Sequence, residues 1–274
     1  MNRTRRLGAA LAEMIVAIGL AGLVAAIGCA ILVAAERRVR LDAANDRVQQ
    51  TTRDVVRLLS AELESALPES VAVRGDTALD LQVHIGVSVA CVAVGAVVVL
   101  PGATAIAGPP FTAWRQSADV GDLLLAWDTT AGGRWARAVV DSATSRTDGA
   151  GCATTTGFRP VADSVARIAV TRLRLDRSLP AGVVSGAPVR VFRGGRWFLH
   201  RSGDGSWSLA NRRCQAGGCS AAQPAAGPLA SVADSGLSFR ISAPGRVEIA
   251  VRPAGALSQR RAVVGVRGAS SAVP

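Results

Sequence analysis

The stretch MIVAIGLAGLVAAIGCAILVAA, residues 14–35, carries no charge across 22 positions, and its reading decides how the rest of the chain is arranged. As a helix rising about 1.5 Å per residue it covers a hydrocarbon core of about 30 Å, so it is a candidate membrane span. It is too long for the apolar region of a removable secretory signal, which reaches only about 15 residues. An acid, Glu13, stands at its front edge. A carboxylate at the centre of a bilayer costs about 2.5 to 3.5 kcal/mol on insertion scales, so such a group needs the membrane surface or a cationic partner. In a bundle of apolar helices the most available cation is the α-amine of a neighbouring chain. Arg3, Arg5 and Arg6 precede the span and Arg37, Arg38 and Arg40 follow it, so flanking charge does not fix the orientation.

Residues 36–67 contain neither Gly nor Pro and stop at Pro68, which disfavours the helical conformation for the residue before it. Val48, Val55, Val56, Leu59, Leu63 and Leu67 recur at helical gaps and form one apolar face. Beyond Pro68 the period changes to two. Leu79, Leu81, Val83, Ile85, Val87 and Val89 alternate with mostly polar residues, as in a strand with one buried face. A second apolar run covers residues 92–100, and residues 102–110 read as a loop. Hairpins are expected from 122–128 with 134–141, and from 189–193 with 196–201 around Gly194 and Gly195. A strand at 207–209 follows the turn Gly203-Asp204-Gly205, and later strands are expected at 247–251 and 262–266. A long N-terminal helix packed on a mainly antiparallel sheet is an α+β fold.

The formal charge of +11 invites a polyanionic partner, because clustered cations release counterions from phosphate. The basic residues are all Arg, and beyond residues 1–8 they are scattered through strand-like segments as pairs such as Arg212 and Arg213. That distribution reads as compositional bias and not as a nucleic-acid footprint. Cys29 lies inside the apolar run, and four cysteines follow it, which allow three pairings. Cys214 and Cys219 bracket a flexible Gln-Ala-Gly-Gly loop that brings two Cα atoms within disulfide range, leaving Cys91 for Cys152. Such bridges suit an oxidising compartment; the alternative is four reduced thiols. His84 and His200 are the only histidines and are remote in sequence from any Cys pair, so no metal site is expected. A P-loop needs Lys, which is absent, and no Gly-x-Ser-x-Gly elbow occurs. No enzyme and no cofactor are expected. Trp114, Trp127, Trp135, Trp197 and Trp207 are assigned to the core.

Arg5-Arg6-Leu7-Gly8 followed by Ala9-Ala10-Leu11-Ala12-Glu13-Met14 resembles the cleavage and methylation motif of type IV prepilins and type II secretion pseudopilins. The resemblance implies a leader of residues 1–8 cut between Gly8 and Ala9 by prepilin peptidase, with N-methylation falling on Ala9. The family usually has Phe where this chain has Ala9. Counted from Ala9, Glu13 is the fifth mature residue, the place of the family's assembly glutamate. The implied order is a membrane helix at 9–35, its amphipathic continuation at 36–67 and a β-rich periplasmic domain at 68–274. The N-terminus would be cytoplasmic, and the partners would be the inner membrane and other pilin or pseudopilin subunits. Pro188-Val-Arg-Val-Phe-Arg, Arg196-Trp-Phe-Leu-His-Arg and Gly205-Ser-Trp-Ser-Leu are similar to the C-terminal part of W-type minor pilins and J-type pseudopilins. A minor structural subunit that initiates or caps a filament is therefore expected. The arginine excess carries one alternative, a membrane-tethered or pilus-displayed module for DNA or a surface, which the scattered charge does not favour.

Overall fold

The computed structural model describes residues 3–102, 112–130, 132–147, 152, 158, 161–165, 167–215 and 218–266, with the side chains of residues 3–13, 15 and 163 outside that description. The chain divides into two compact units, Met1–Thr51 and Thr52–Pro274. Helix α1, Arg3–Ser65, is 63 residues long and supplies the described part of the first unit. There Val24 and Leu32 are 68% and 70% exposed. Arg40 pairs with Glu36 one turn earlier, an exposed contact that adds a few tenths of a kcal/mol at most.

In the second unit the last turns of α1 bury Val55, Leu59 and Leu63 completely. Each such side chain contributes about 1.5 to 3 kcal/mol of burial. The helix stops at Ser65, two residues short of the expected end. Leu67 is extended (φ −73°, ψ 116°), as a residue before proline prefers, and its N–H donates to the Gln82 carbonyl at 2.9 Å. Ala66 bridges to Val83, so the chain peels from the helix into a sheet edge before a 3-10 turn at Pro68–Ser70.

The strands follow. β1 (Ala72–Arg74), β2 (Ala78–Val89), β3 (Val92–Val94), β4 (Val97–Leu100) and β5 (Ala113–Trp114) come first. Then come β6 (Leu123–Asp128), β7 (Arg134–Arg146), the short helix α2 (Val161–Val165), β8 (Val170–Leu175), β9 (Pro188–Arg201) and β10 (Trp207–Gln215). β11 (Gly218–Cys219), β12 (Gln223–Leu229), β13 (Leu237–Ala243), β14 (Arg246–Val251) and β15 (Arg260–Gly265) complete the unit. Among the described residues every strand pairing is antiparallel. The large sheet runs β1-β2-β9-β6-β7-β8-β4-β3, with β10 beside β9, and β13-β14-β15 form a second sheet. The fold is α+β. Leu59 and Leu63 of α1 share one core with Leu81, Trp197 and Leu209 of the large sheet and with Phe239 and Ile249 of the small one. A second core lies among β2, β4, β6, β7, β8 and β9, around Leu100, Leu124, Leu173 and Val191.

The structure departs from the sequence expectations at several points. The apolar run 92–100 is two strands, because Gly95 (φ 56°) turns the chain between them. Gly194 and Gly195 make no turn: β9 runs through them, with Gly194 opposite Gln82, and Gly195 opposite both Leu81 and Arg213. A Cβ on Gly194 would lie 2.5 Å from the Cys214 carbonyl oxygen, so close backbone approach explains that glycine. In β2 a register shift between His84 and Gly86 reverses the alternation, and Ser88 turns inward in place of Val87 and Val89. Of the five tryptophans Trp197 is buried, and Trp114, Trp135 and Trp207 pack partly buried against the cores, which leaves Trp127 outside them. Trp127 and Trp135 form a half-exposed edge-to-face pair at 5.2 Å, with the Arg190 guanidinium over Trp135.

Candidate functional site

Gly8, Ala9 and Glu13 lie on the helical backbone of α1, and their side chains are outside the described residues. From Val16 onward α1 is long and apolar enough to cross a membrane, and its most apolar window buries nothing within the chain. A continuous apolar surface of that kind is stable in lipid or against other apolar helices, not in water. Cys29 lies in it as an exposed free thiol.

The other four cysteines are bridged. Cys91 joins Cys152 with Cα atoms 5.0 Å apart, buried beside Val99 and Val170. Cys214 and Cys219 are direct cross-strand partners of β10 and β11, with Cα atoms 4.1 Å apart. The two bridges close loops of very different length, with separations of 61 and 5 residues. By chain entropy the first is worth about 4 kcal/mol and the second about 2 kcal/mol. Replacing both Cys91 and Cys152 with Ser is therefore expected to lower the urea unfolding midpoint about twice as far as replacing both Cys214 and Cys219. An equal or reversed pair of shifts would refute that ranking.

The segment between β5 and β6 is fastened to β9 and β10 by charge. Asp122, fully buried, accepts from Arg193 Nε and Nη2 at 2.9 and 2.7 Å and from Arg213 Nη2 at 3.3 Å. Arg193 Nη2 also donates to the Ser117 carbonyl, and Arg213 Nη1 reaches Asp119 at 2.7 Å. The Arg213 hydrogen bond holds the Asp119 carboxyl below its ordinary range, with the Val120 N–H assisting. On the other face of the sheet Arg196 Nη2 donates to Asp80 at 2.8 Å and lowers that carboxyl in the same way. No motif marks these pairs in the sequence, because each joins residues more than 70 positions apart and the chain is full of arginine.

Beside this lock, above Gly195, lies a cleft of about 260 Å³. Glu62 of α1, Arg115 and Gln116 of the fastened segment, and Trp197 and Asn211 of the sheet are among its walls. Burial pushes the Glu62 carboxyl up, opposed by the nearby Arg115 guanidinium. His84, also on the wall, is pushed below its ordinary value by burial and by Arg190 and Arg115, and its ring meets Phe192 edge-on. His200 stacks in the same manner on Phe198. Among the described residues no three His, Cys, Asp or Glu side chains gather in a way that could hold a metal ion.

Comparison with family profiles, curated proteins and solved structures returns no match. The functional reading is therefore carried by this chain's own residues.

Proposed function

We propose that this chain is a prepilin-type minor subunit, an inner-membrane precursor that joins a type IV pilus or type II secretion pseudopilus after its leader is removed. The observation that carries the reading is one helix, α1, with two fates along its length. Its early part is apolar and exposed, while Val55, Leu59 and Leu63 near its end sit in the core of a disulfide-bridged β domain. An isolated tether needs no such helical continuation into its cargo. The basic leader ending at Gly8 and the acid five residues into the chain that would follow supply the second support. The two bridges suit an oxidising exterior and hence a cytoplasmic N-terminus.

The DNA-binding alternative gains nothing from the ion pairs. Arg74, Arg137, Arg193, Arg196, Arg213 and Arg261 each face a carboxylate, which removes them from the pool of free cations.

The test is the mature N-terminus. Intact-mass analysis of membrane-purified protein is expected to show a chain starting at Ala9, and Gly8→Val is expected to abolish processing. Retention of residues 1–8 in cells with an active prepilin peptidase would sink the assignment.

A further inference from the structure

We infer that the cleft above Gly195 is a binding site for a carboxylate ligand, engaged by the Arg115 guanidinium. The site lies within the second unit, Thr52–Pro274, whether or not the chain assembles into a filament.

Gly195 is the starting point. Glycine in the middle of a strand is destabilising by roughly 0.5 to 1 kcal/mol, so it needs a reason. Gly194 has one in the approaching Cys214 carbonyl. Gly195 has none of the usual ones. It is not among the glycines with positive φ, and a Cβ built on it meets only the Arg212 carbonyl oxygen, at 3.8 Å. Neither backbone conformation nor packing excludes a side chain there. By strand alternation that side chain would share a face with Arg193 and Trp197, both of which line the cleft. What the glycine provides is the empty volume itself, the remaining reason for a strand glycine being close approach of a ligand.

The wall of that volume is held in place before anything binds. Asp122 locks Arg193 and Arg213, and through them the segment that carries Arg115 and Gln116. Preorganised walls of this kind lower the ordering cost of binding.

The polar groups set the ligand class. Arg193 and Arg213 already donate to Asp122, Asp119 and neighbouring carbonyls. Arg115 donates no side-chain hydrogen bond among the described residues and is exposed at the cleft wall, a planar fork suited to a carboxylate. Glu62 shares the wall, and a dianion such as phosphate would meet that acid, so a monoanion is preferred. Asn211 and Gln223 offer neutral hydrogen bonds to the remainder of the ligand. A volume of about 260 Å³ lies just under the range of about 300 to 1,000 Å³ usual for small-molecule pockets, so the site takes a fragment-sized acid or the end of a peptide.

The experiment uses full-length protein in detergent micelles and four probes: N-acetyl-Ala-Ala with a free carboxylate, its C-terminal amide, amidated N-acetyl-Asp, and propionate, with inorganic phosphate as competitor. Binding is read by saturation-transfer NMR and calorimetry. At least one carboxylate probe is expected to bind, with at least tenfold loss in both Arg115→Gln and Gly195→Val. Preference for the free dipeptide over its amide identifies a peptide C-terminus, preference for amidated N-acetyl-Asp an acidic side chain, and equal binding of propionate a free acid. Gly195→Ala, which adds only a methyl, is expected to unfold at or above the wild-type temperature, and it carries the packing argument if Gly195→Val folds poorly. No binding by any carboxylate probe, displacement by phosphate at lower concentration, or unchanged affinity in Arg115→Gln would each overturn the assignment. So would a lowered unfolding temperature in Gly195→Ala.

Discussion

Replacing Asp122 with Ala is expected to destabilise the β domain by about 3 kcal/mol, the lower end of the range of about 3 to 5 kcal/mol for breaking a buried ion pair from one side. The loss comes less from the attraction removed than from the two guanidinium groups left behind. Arg193 is 16% exposed and Arg213 27%, so each recovers part of its hydration and the effect stays below the maximum. Urea unfolding of full-length protein followed by tryptophan fluorescence measures the change. The double replacement Asp122→Ala with Arg193→Met is expected to be more stable than Asp122→Ala alone, because it removes one stranded charge with its partner. A double variant less stable than the single one would mean that Arg193 contributes by packing, and the charge-lock reading would fail. Limited proteolysis adds a local readout, with cleavage expected to appear first between residues 115 and 122.

How much of this was legible in the sequence depended on the range of the interaction. Local periodicity carried the helix and its buried face at Val55, Leu59 and Leu63, since spacing along one element decides which side chains share a side. It carried β2 only as far as His84, because the bulge there is imposed by partners. Trp114 stacks so closely on Gly86 that a Cβ there would collide with its ring, and no pattern within residues 78–89 anticipates that contact. Gly194 and Gly195 misled for a related reason. A glycine pair between two alternating runs is a turn signal when nothing else is known, yet here one glycine admits a neighbouring carbonyl and the other opens a cleft. The Asp122 lock was invisible because strand register alone brings Arg193 and Arg213 to the same carboxylate.

Glu13→Ala is expected to spare membrane insertion and leader cleavage while sharply reducing incorporation into a filament. In the proposed precursor Glu13 sits at the front edge of the uncharged run, at the membrane surface, where its carboxylate keeps its water. Removing it there removes a cost and no anchor, since the apolar residues from Met14 onward are untouched. Insertion should be normal, and so should processing, because Gly8 and the basic leader remain. In the proposed filament the same carboxylate would be enclosed by apolar helices and paired with the Ala9 amine of an adjacent subunit. Loss of one member of a desolvated charge pair typically costs about 3 to 5 kcal/mol through the partner left unpaired, more than a hundredfold in an assembly equilibrium. For a minor subunit the defect falls on initiation complexes as well as on finished filaments, so the assay counts both co-purified partner subunits and surface filaments. Glu13→Gln separates charge from shape: it keeps the size and a hydrogen-bonding group but not the charge, and it should assemble nearly as poorly as Ala. Wild-type counts of complexes and filaments in both variants would remove the physical reason for an acid at that position and would leave a tethered β domain as the better description of the chain.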